Sequence, residues 1–169
     1  MMAERTFAPW VEPIAAQHRK DDAQVLEFAR SLPEEAWAQP SGLEGWSCKD
    51  VLAHIGKGND QLYQQLLRQV IAGGKVDTAI FRDVDTDAEN AAGVEARRGL
   101  TPEEVVKEFE EAGEQVLGLL AQLTEDHEHL RQEDPPFILK GFMELIDKES
   151  HSIEHLKQLE QVLEGTKVT

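Results

Sequence analysis

The sequence of 169 residues predicts an all-α protein that folds as a four-helix bundle. Three observations indicate this fold. Four long segments carry apolar residues at helical spacing, capping and stop signals bound most of them, and no segment alternates convincingly in the manner of a strand. Four helices of about 20 to 28 residues, each with one apolar stripe, can bury those stripes against one another. We expect a single domain over residues 1–169.

The first two helices have recognisable ends. The first is predicted over about residues 13–32 and stops at Pro33, because proline lacks the amide hydrogen that a helix needs. A loop rich in proline and glycine follows. The second helix begins after Ser47, whose hydroxyl is a good N-cap, and ends at Gly73 and Gly74.

The other two helices are bounded in similar ways. Thr101 and Glu104 form a capping-box pattern with Pro102 at the first helical position, which predicts the start of the third helix. A pair of prolines separates it from the fourth helix. That helix is predicted over about residues 137–164, with Gly165 ending it.

The lengths of the connections predict the topology. The connection between helices two and three, residues 73–100, is much longer than the two to eight residues of an ordinary bundle turn. A connection of that length can cross the whole bundle and leave helices two and three parallel. The predicted order is therefore up-down-down-up, with helices two and four antiparallel.

Composition narrows the classes of function. The formal net charge is −16 and the pI is about 4.7, so both nucleic acid and anionic membrane surfaces would be repelled. No stretch approaches the ~18 apolar residues of a membrane span, and the N-terminus lacks the pattern of a signal peptide. Cys48 is the single cysteine, which excludes an internal disulfide and fits a reducing compartment. We expect a cytoplasmic protein with no nucleic-acid or membrane partner.

Three histidines are candidate metal ligands. His151 and His155 are four residues apart, so both project from one face of the fourth helix and can share a divalent ion. His54 lies about seven residues, or ~10 Å, from the start of helix two. His155 and His151 lie about nine and thirteen residues, or ~14 and ~20 Å, from the end of helix four. Antiparallel packing would bring the three side chains to similar heights.

The bland interpretation is that His151 and His155 are solvated surface residues, and this pair alone favours it. By periodicity, all three histidines fall beside the apolar stripes of their helices rather than at the centre. A cleft at the seam between helices, open to substrate on one side, would accommodate such positions. Because His54 is expected at a similar position along the bundle axis, we favour a metal site over solvated surface residues.

Other polar residues are weaker candidates for a functional role. Glu149 could orient a ligand histidine, or could simply lie in water. Cys48 could be a reactive thiol, but a small buried apolar residue is the favoured interpretation. The run from Asp126 to His129 is expected to be a solvated turn, and His18 has no evident partner. The tryptophans are expected to pack in the core.

Two motifs carry a resemblance to a known family. The segment Trp46 to His54, followed some hundred residues later by His151-x-x-x-His155, resembles the DinB-like superfamily. It is most similar to the N-terminal domain of mycothiol-dependent maleylpyruvate isomerase. Residues 87–105 also resemble that group's long connection and third helix.

The resemblance implies an up-down-down-up bundle, often a homodimer, that binds a divalent metal such as zinc or nickel. It implies His54, His151 and His155 as the ligands. It also implies a low-molecular-weight thiol cosubstrate, mycothiol or bacillithiol, that the metal activates for transfer to, or isomerisation of, a small-molecule electrophile.

We therefore expect a metal-dependent thiol transferase or isomerase. One alternative is a non-catalytic metal- or ligand-binding bundle of a stress response. A second is a helical dimerisation module in which the histidines are incidental. The sequence identifies no catalytic acid or base.

Overall fold

A computed structural model describes residues 4–43, 45–82, 84–148 and 150–167, without the side chains of residues 57–60 and 166–167. The chain is mostly helical, as predicted. The helices are α1 (Glu12–Ser31), α2 (Glu34–Trp37), α3 (Cys48–Gly73), α4 (Ala79–Arg82), α5 (Thr86–Arg97), α6 (Pro102–Leu120), α7 (Leu139–Lys148) and α8 (His151–Lys167). None of these helices has the length and the apolar character to cross a lipid bilayer.

Helix α3 begins and ends where the sequence predicts. The amide of Asp50 donates to Ser47 Oγ at 3.2 Å, and the amide of Ser47 donates to the Asp50 carboxylate at 3.0 Å. This reciprocal capping box fixes the first turn. At the other end Gly74 adopts φ +70°, a left-handed conformation that glycine takes at little cost. The second turn of α3, which carries His54, therefore has a fixed position.

The prediction of one fourth helix over residues 137–164 is wrong. The segment from 136 to 138 is instead a strand, β2 (Pro136–Ile138), which pairs antiparallel with β1 (Arg131–Glu133). Two helices, α7 and α8, follow it, and α8 runs through Gly165 rather than ending there. The sequence between α7 and α8 contains neither proline nor glycine, so pattern alone gives no sign of the break.

Packing explains why two helices are useful here. Leu139 and Met143 of α7 are fully buried in one apolar cluster, together with residues of α1, α3 and α6. Leu156 and Leu159 of α8 are buried in a second cluster with the N-terminal half of α3. Each helix thus turns its apolar face to a different cluster, which requires a change of direction between them.

The long connection between α3 and α6 contains helical structure that the sequence did not reveal. Asp85 accepts a hydrogen bond from the Ala88 amide and caps α5, which packs against α3. Only Gly93 and Val94 of this helix are buried. An apolar stripe so thin gives no clear helical period.

The long helices contact one another in a ring. Helix α3 packs against α6 and α8, and α1 packs against the same two helices. Helix α5 packs against α3, and α7 packs against α1. The contact between α3 and α8 brings the histidine-bearing segments of the two helices together.

A small polar cavity of about 40 Å³ lies where α1 meets the junction of α7 and α8. Its lining includes His18, Asp21, Asp22, Asp147 and Ser152. Burial, together with the nearby charges of Asp21 and Glu144, raises the pKa of Asp147 to about 7. In the folded protein the neutral carboxyl is therefore favoured below about pH 7.

Ser47→Ala should lower the free energy of unfolding by about 1 kcal/mol, because the Asp50 amide loses its acceptor. Chemical denaturation measures the change. Ser47→Thr keeps the hydroxyl and should stay within about 0.5 kcal/mol of the wild type. A Ser47→Ala variant as stable as the wild type would show that the capping box contributes little.

Asp147→Asn should stabilise the protein at and above about pH 7 and have little effect near pH 4. The folded-state pKa of about 7 exceeds the usual value of 3.8, so only the unfolded chain loses this proton between the two. Stability of the wild type relative to the variant then falls as the pH rises through that interval. Thermal unfolding across this pH range measures the difference in stability. Asp126→Asn is the control, because Asp126 is exposed. A difference between Asp147→Asn and wild type that does not vary with pH would contradict the raised pKa.

Candidate metal centre

The three histidines singled out by the sequence come together between α3 and α8. His54 lies in the second turn of α3 and is only 4% exposed. His151 and His155 occupy the first two turns of α8 and are half-buried. The periodicity of α3 puts His54 beside its apolar stripe, but the first turns of α3 are covered on most sides, so His54 is buried as well.

The side chains converge through their Nε2 atoms. His54 Nε2 lies 2.9 Å from His151 Nε2, and His155 Nε2 lies 3.1 Å from the same atom. One ligand atom from each of the three residues falls within 4.8 Å of the others. Within the described part of the chain, no other set of three His, Cys, Asp or Glu side chains meets this condition.

These distances fit a shared cation. Two nitrogens bound to one ion at ~2.0–2.1 Å are ~2.9 Å apart at a right angle and ~3.3 Å apart at the tetrahedral angle. The two separations that involve His151, 2.9 and 3.1 Å, fall within that interval. His151 Nε2 can carry at most one hydrogen, so it cannot donate to both neighbours. A positive ion between the lone pairs satisfies all three rings at once.

The environment of the rings fixes their orientation. Trp46, next to the cap of α3, packs on the His54 ring with centroids 5.1 Å apart. The His54 ring meets those of His151 and His155 edge to face, at 5.1 and 5.2 Å. Trp46, predicted from the sequence to be a packing residue, packs directly against a candidate ligand.

Electrostatics favour the neutral imidazole that a metal requires. Burial lowers the pKa of His151, and the neighbouring His155 lowers it further. The carboxylate of Glu154 acts in the opposite direction but is the smallest of the three effects. A neutral His151 keeps the Nε2 lone pair available near neutral pH.

Cys48 and the segment from Asp126 to His129 contribute no ligand atom to this cluster. Cys48 is fully buried, and burial raises the pKa of its thiol, as expected of a packing residue rather than a nucleophile. The segment from Asp126 to His129 overlaps a 3₁₀ turn, Glu125–His127, in which His127 Nδ1 accepts from the Thr124 amide at 2.9 Å. Glu149 lies outside the described residues.

Two features were missed, the partner of His18 and the raised pKa of Asp147. His18 Nε2 lies 3.1 Å from an Asp22 carboxylate oxygen, four residues along α1, and that spacing could have revealed the pair. Asp147 carries no signal in the sequence, because its raised pKa comes from Asp21 on another helix as well as from burial.

Comparison with known proteins gives one match. The family described as the mycothiol maleylpyruvate isomerase N-terminal domain matches residues 18–137. No curated protein and no solved structure matches the chain significantly. The matched region includes His54 but ends before α7, so the match itself does not cover His151 or His155. Since the match spans well over half of the sequence, the chain belongs to the mycothiol maleylpyruvate isomerase N-terminal domain family, as the resemblance in the sequence predicted.

Proposed function

We propose that this protein binds a divalent metal through His54, His151 and His155, and that it acts as a thiol transferase or isomerase on a small electrophile. The observation that carries the proposal is the convergence of three Nε2 atoms. His54 Nε2 lies 2.9 Å from the Nε2 of His151, which is 97 positions away in the sequence, and His155 Nε2 lies 3.1 Å from the same atom. Three imidazole ligands are typical of catalytic zinc sites, which leave a coordination position for water or substrate. Zinc or nickel is the proposed metal, since imidazole suits both.

The chemistry follows from the family and from the donor set. The family name supports a low-molecular-weight thiol such as mycothiol, or the related bacillithiol, as cosubstrate. When bound, a divalent metal lowers the pKa of a coordinated thiol or water and so supplies a nucleophile at neutral pH. The chain holds three imidazole side chains in place and buries His54, which excludes water from the α3 side. The half-buried His151 and His155 leave an approach from solvent for the substrate.

We also propose the family's up-down-down-up bundle for the four long helices α1, α3, α6 and α8. The ring of contacts among them supports this arrangement. The proposal includes one domain over residues 1–169, a homodimer and a cytoplasmic location. The resemblance to the DinB-like superfamily supports the dimer, and a fully buried single cysteine is compatible with a reducing compartment.

Purified without a histidine tag, the protein should hold close to one zinc or nickel ion per chain, and His54→Ala should lose it. The reason is that the variant keeps only the two ligands of α8. Metal analysis and competition with a chromogenic chelator measure occupancy and affinity.

His129→Ala is the matched control, because it also removes an imidazole, but one whose side chain is 87% exposed and is not among the proposed ligands. This variant should bind as tightly as the wild type. Equal loss in both variants, or full retention in His54→Ala, would contradict the proposed ligand set.

The metal-loaded protein should catalyse the reaction of mycothiol or bacillithiol with monochlorobimane, in which a carbon–sulfur bond forms and chloride leaves. His54→Ala should reduce kcat/KM at least about 100-fold, since a bound metal contributes several kcal/mol to such reactions. Fluorescence of the bimane adduct measures the rate, and His129→Ala should leave it unchanged.

Stoichiometric metal without thiol-dependent turnover would favour the alternative, a non-catalytic metal- or ligand-binding bundle. The absence of both metal and turnover would favour the other alternative, a helical dimerisation module in which the histidines are incidental. The two measurements together therefore separate the three functions.

A further inference from the structure

Gln158 makes a contact that bears directly on one candidate ligand. It lies one turn beyond His155 on α8, and its Oε1 is 3.0 Å from His155 Nδ1. An amide oxygen can only accept a hydrogen bond, so Nδ1 carries the hydrogen in this contact. The lone pair of His155 is then on Nε2, the atom that lies 3.1 Å from His151 Nε2.

We propose that Gln158 is a positioning residue for the metal centre: it holds His155 in the tautomer and ring orientation that present Nε2 to the ion. This inference rests on the proposed function, because it assigns a role toward the same metal. It adds a residue outside the three ligands, and Gln158 is not a catalytic residue, since it touches the ligand rather than the metal or the substrate.

The nitrogen of the His155 ring that does not face the ion decides whether the other one can bind it. A neutral imidazole has one hydrogen, which sits on Nδ1 or on Nε2. With an acceptor at Nδ1, the hydrogen stays there and Nε2 is ready to bind. Without that acceptor, the form with the hydrogen on Nε2 gains population, and that form cannot coordinate through Nε2. Partners of this kind are typically worth about 10- to 100-fold in metal affinity.

Exposure sets the expected size of the effect. Gln158 is exposed, so water can replace part of the hydrogen bond. We therefore expect the lower end of that interval, about 10-fold, when the acceptor is removed. A carboxylate at this position should accept the hydrogen bond from Nδ1 more strongly and make Nε2 a stronger ligand for the metal.

The experiment compares Gln158→Leu and Gln158→Glu with the same two changes at Gln161. Gln161 is also exposed and lies three residues further along α8, so it controls for helix propensity and for added charge. Zinc affinity is measured by competition with a chelator. Gln158→Leu should bind about 10-fold more weakly, Gln158→Glu more tightly than Gln161→Glu, and Gln161→Leu like the wild type.

A second measurement needs no metal. Long-range ¹H–¹⁵N NMR correlation spectra of the apo protein report the tautomer of His155. The wild type should show the Nδ1–H form, and Gln158→Leu should shift the ring toward the Nε2–H form. A purely structural role for Gln158 would not move this equilibrium.

The results separate the inference from the function on which it rests. If the wild type binds zinc through His54 but Gln158→Leu changes neither the affinity nor the tautomer, the role of Gln158 is wrong and the metal site stands. If the wild type binds no zinc, the proposed function fails, and with it the role of Gln158 toward the metal.

Discussion

The contact between α3 and α8 is the constraint on which the candidate centre depends. One histidine comes from the second turn of α3 and two come from the start of α8, so neither helix can form the centre alone. Apolar residues hold the two helices together, with Ile55 of α3 and Leu159 of α8 fully buried in one cluster. Apolar packing of this kind places three polar rings within hydrogen-bonding distance, and the ion would complete the arrangement.

Buried polar groups usually require partners, and the histidine cluster illustrates how that requirement points to a ligand. His151 Nε2 faces two other Nε2 atoms and can donate to only one of them. Protonation of the His151 ring would not help, because the second hydrogen goes to Nδ1 rather than to Nε2, and burial and His155 both disfavour the charged ring. A divalent ion resolves the same problem without adding a proton, which is why this geometry supports a metal rather than a hydrogen-bonded cluster.

Features that depend only on neighbouring residues, such as helix ends, could be predicted from the sequence. The capping residue Ser47 and the terminating Gly74 are visible in the sequence because each acts within one turn of its own helix. The pairing of His151 with His155 follows from helical spacing in the same way. The break before α8, the helix α5 and the raised pKa of Asp147 were not predictable, because each depends on packing between segments far apart in the chain. The family match identifies the family to which the chain belongs, but it does not extend to α8.

The position of the metal itself is the most direct test of the central claim. Anomalous diffraction at the zinc or nickel absorption edge, from crystals of the loaded protein, locates the ion independently of any assumption about its ligands. The account predicts one strong peak within ~2.0–2.2 Å of the Nε2 atoms of His54, His151 and His155. A peak elsewhere, or one bound by the two α8 histidines while His54 remains out of reach, would contradict it.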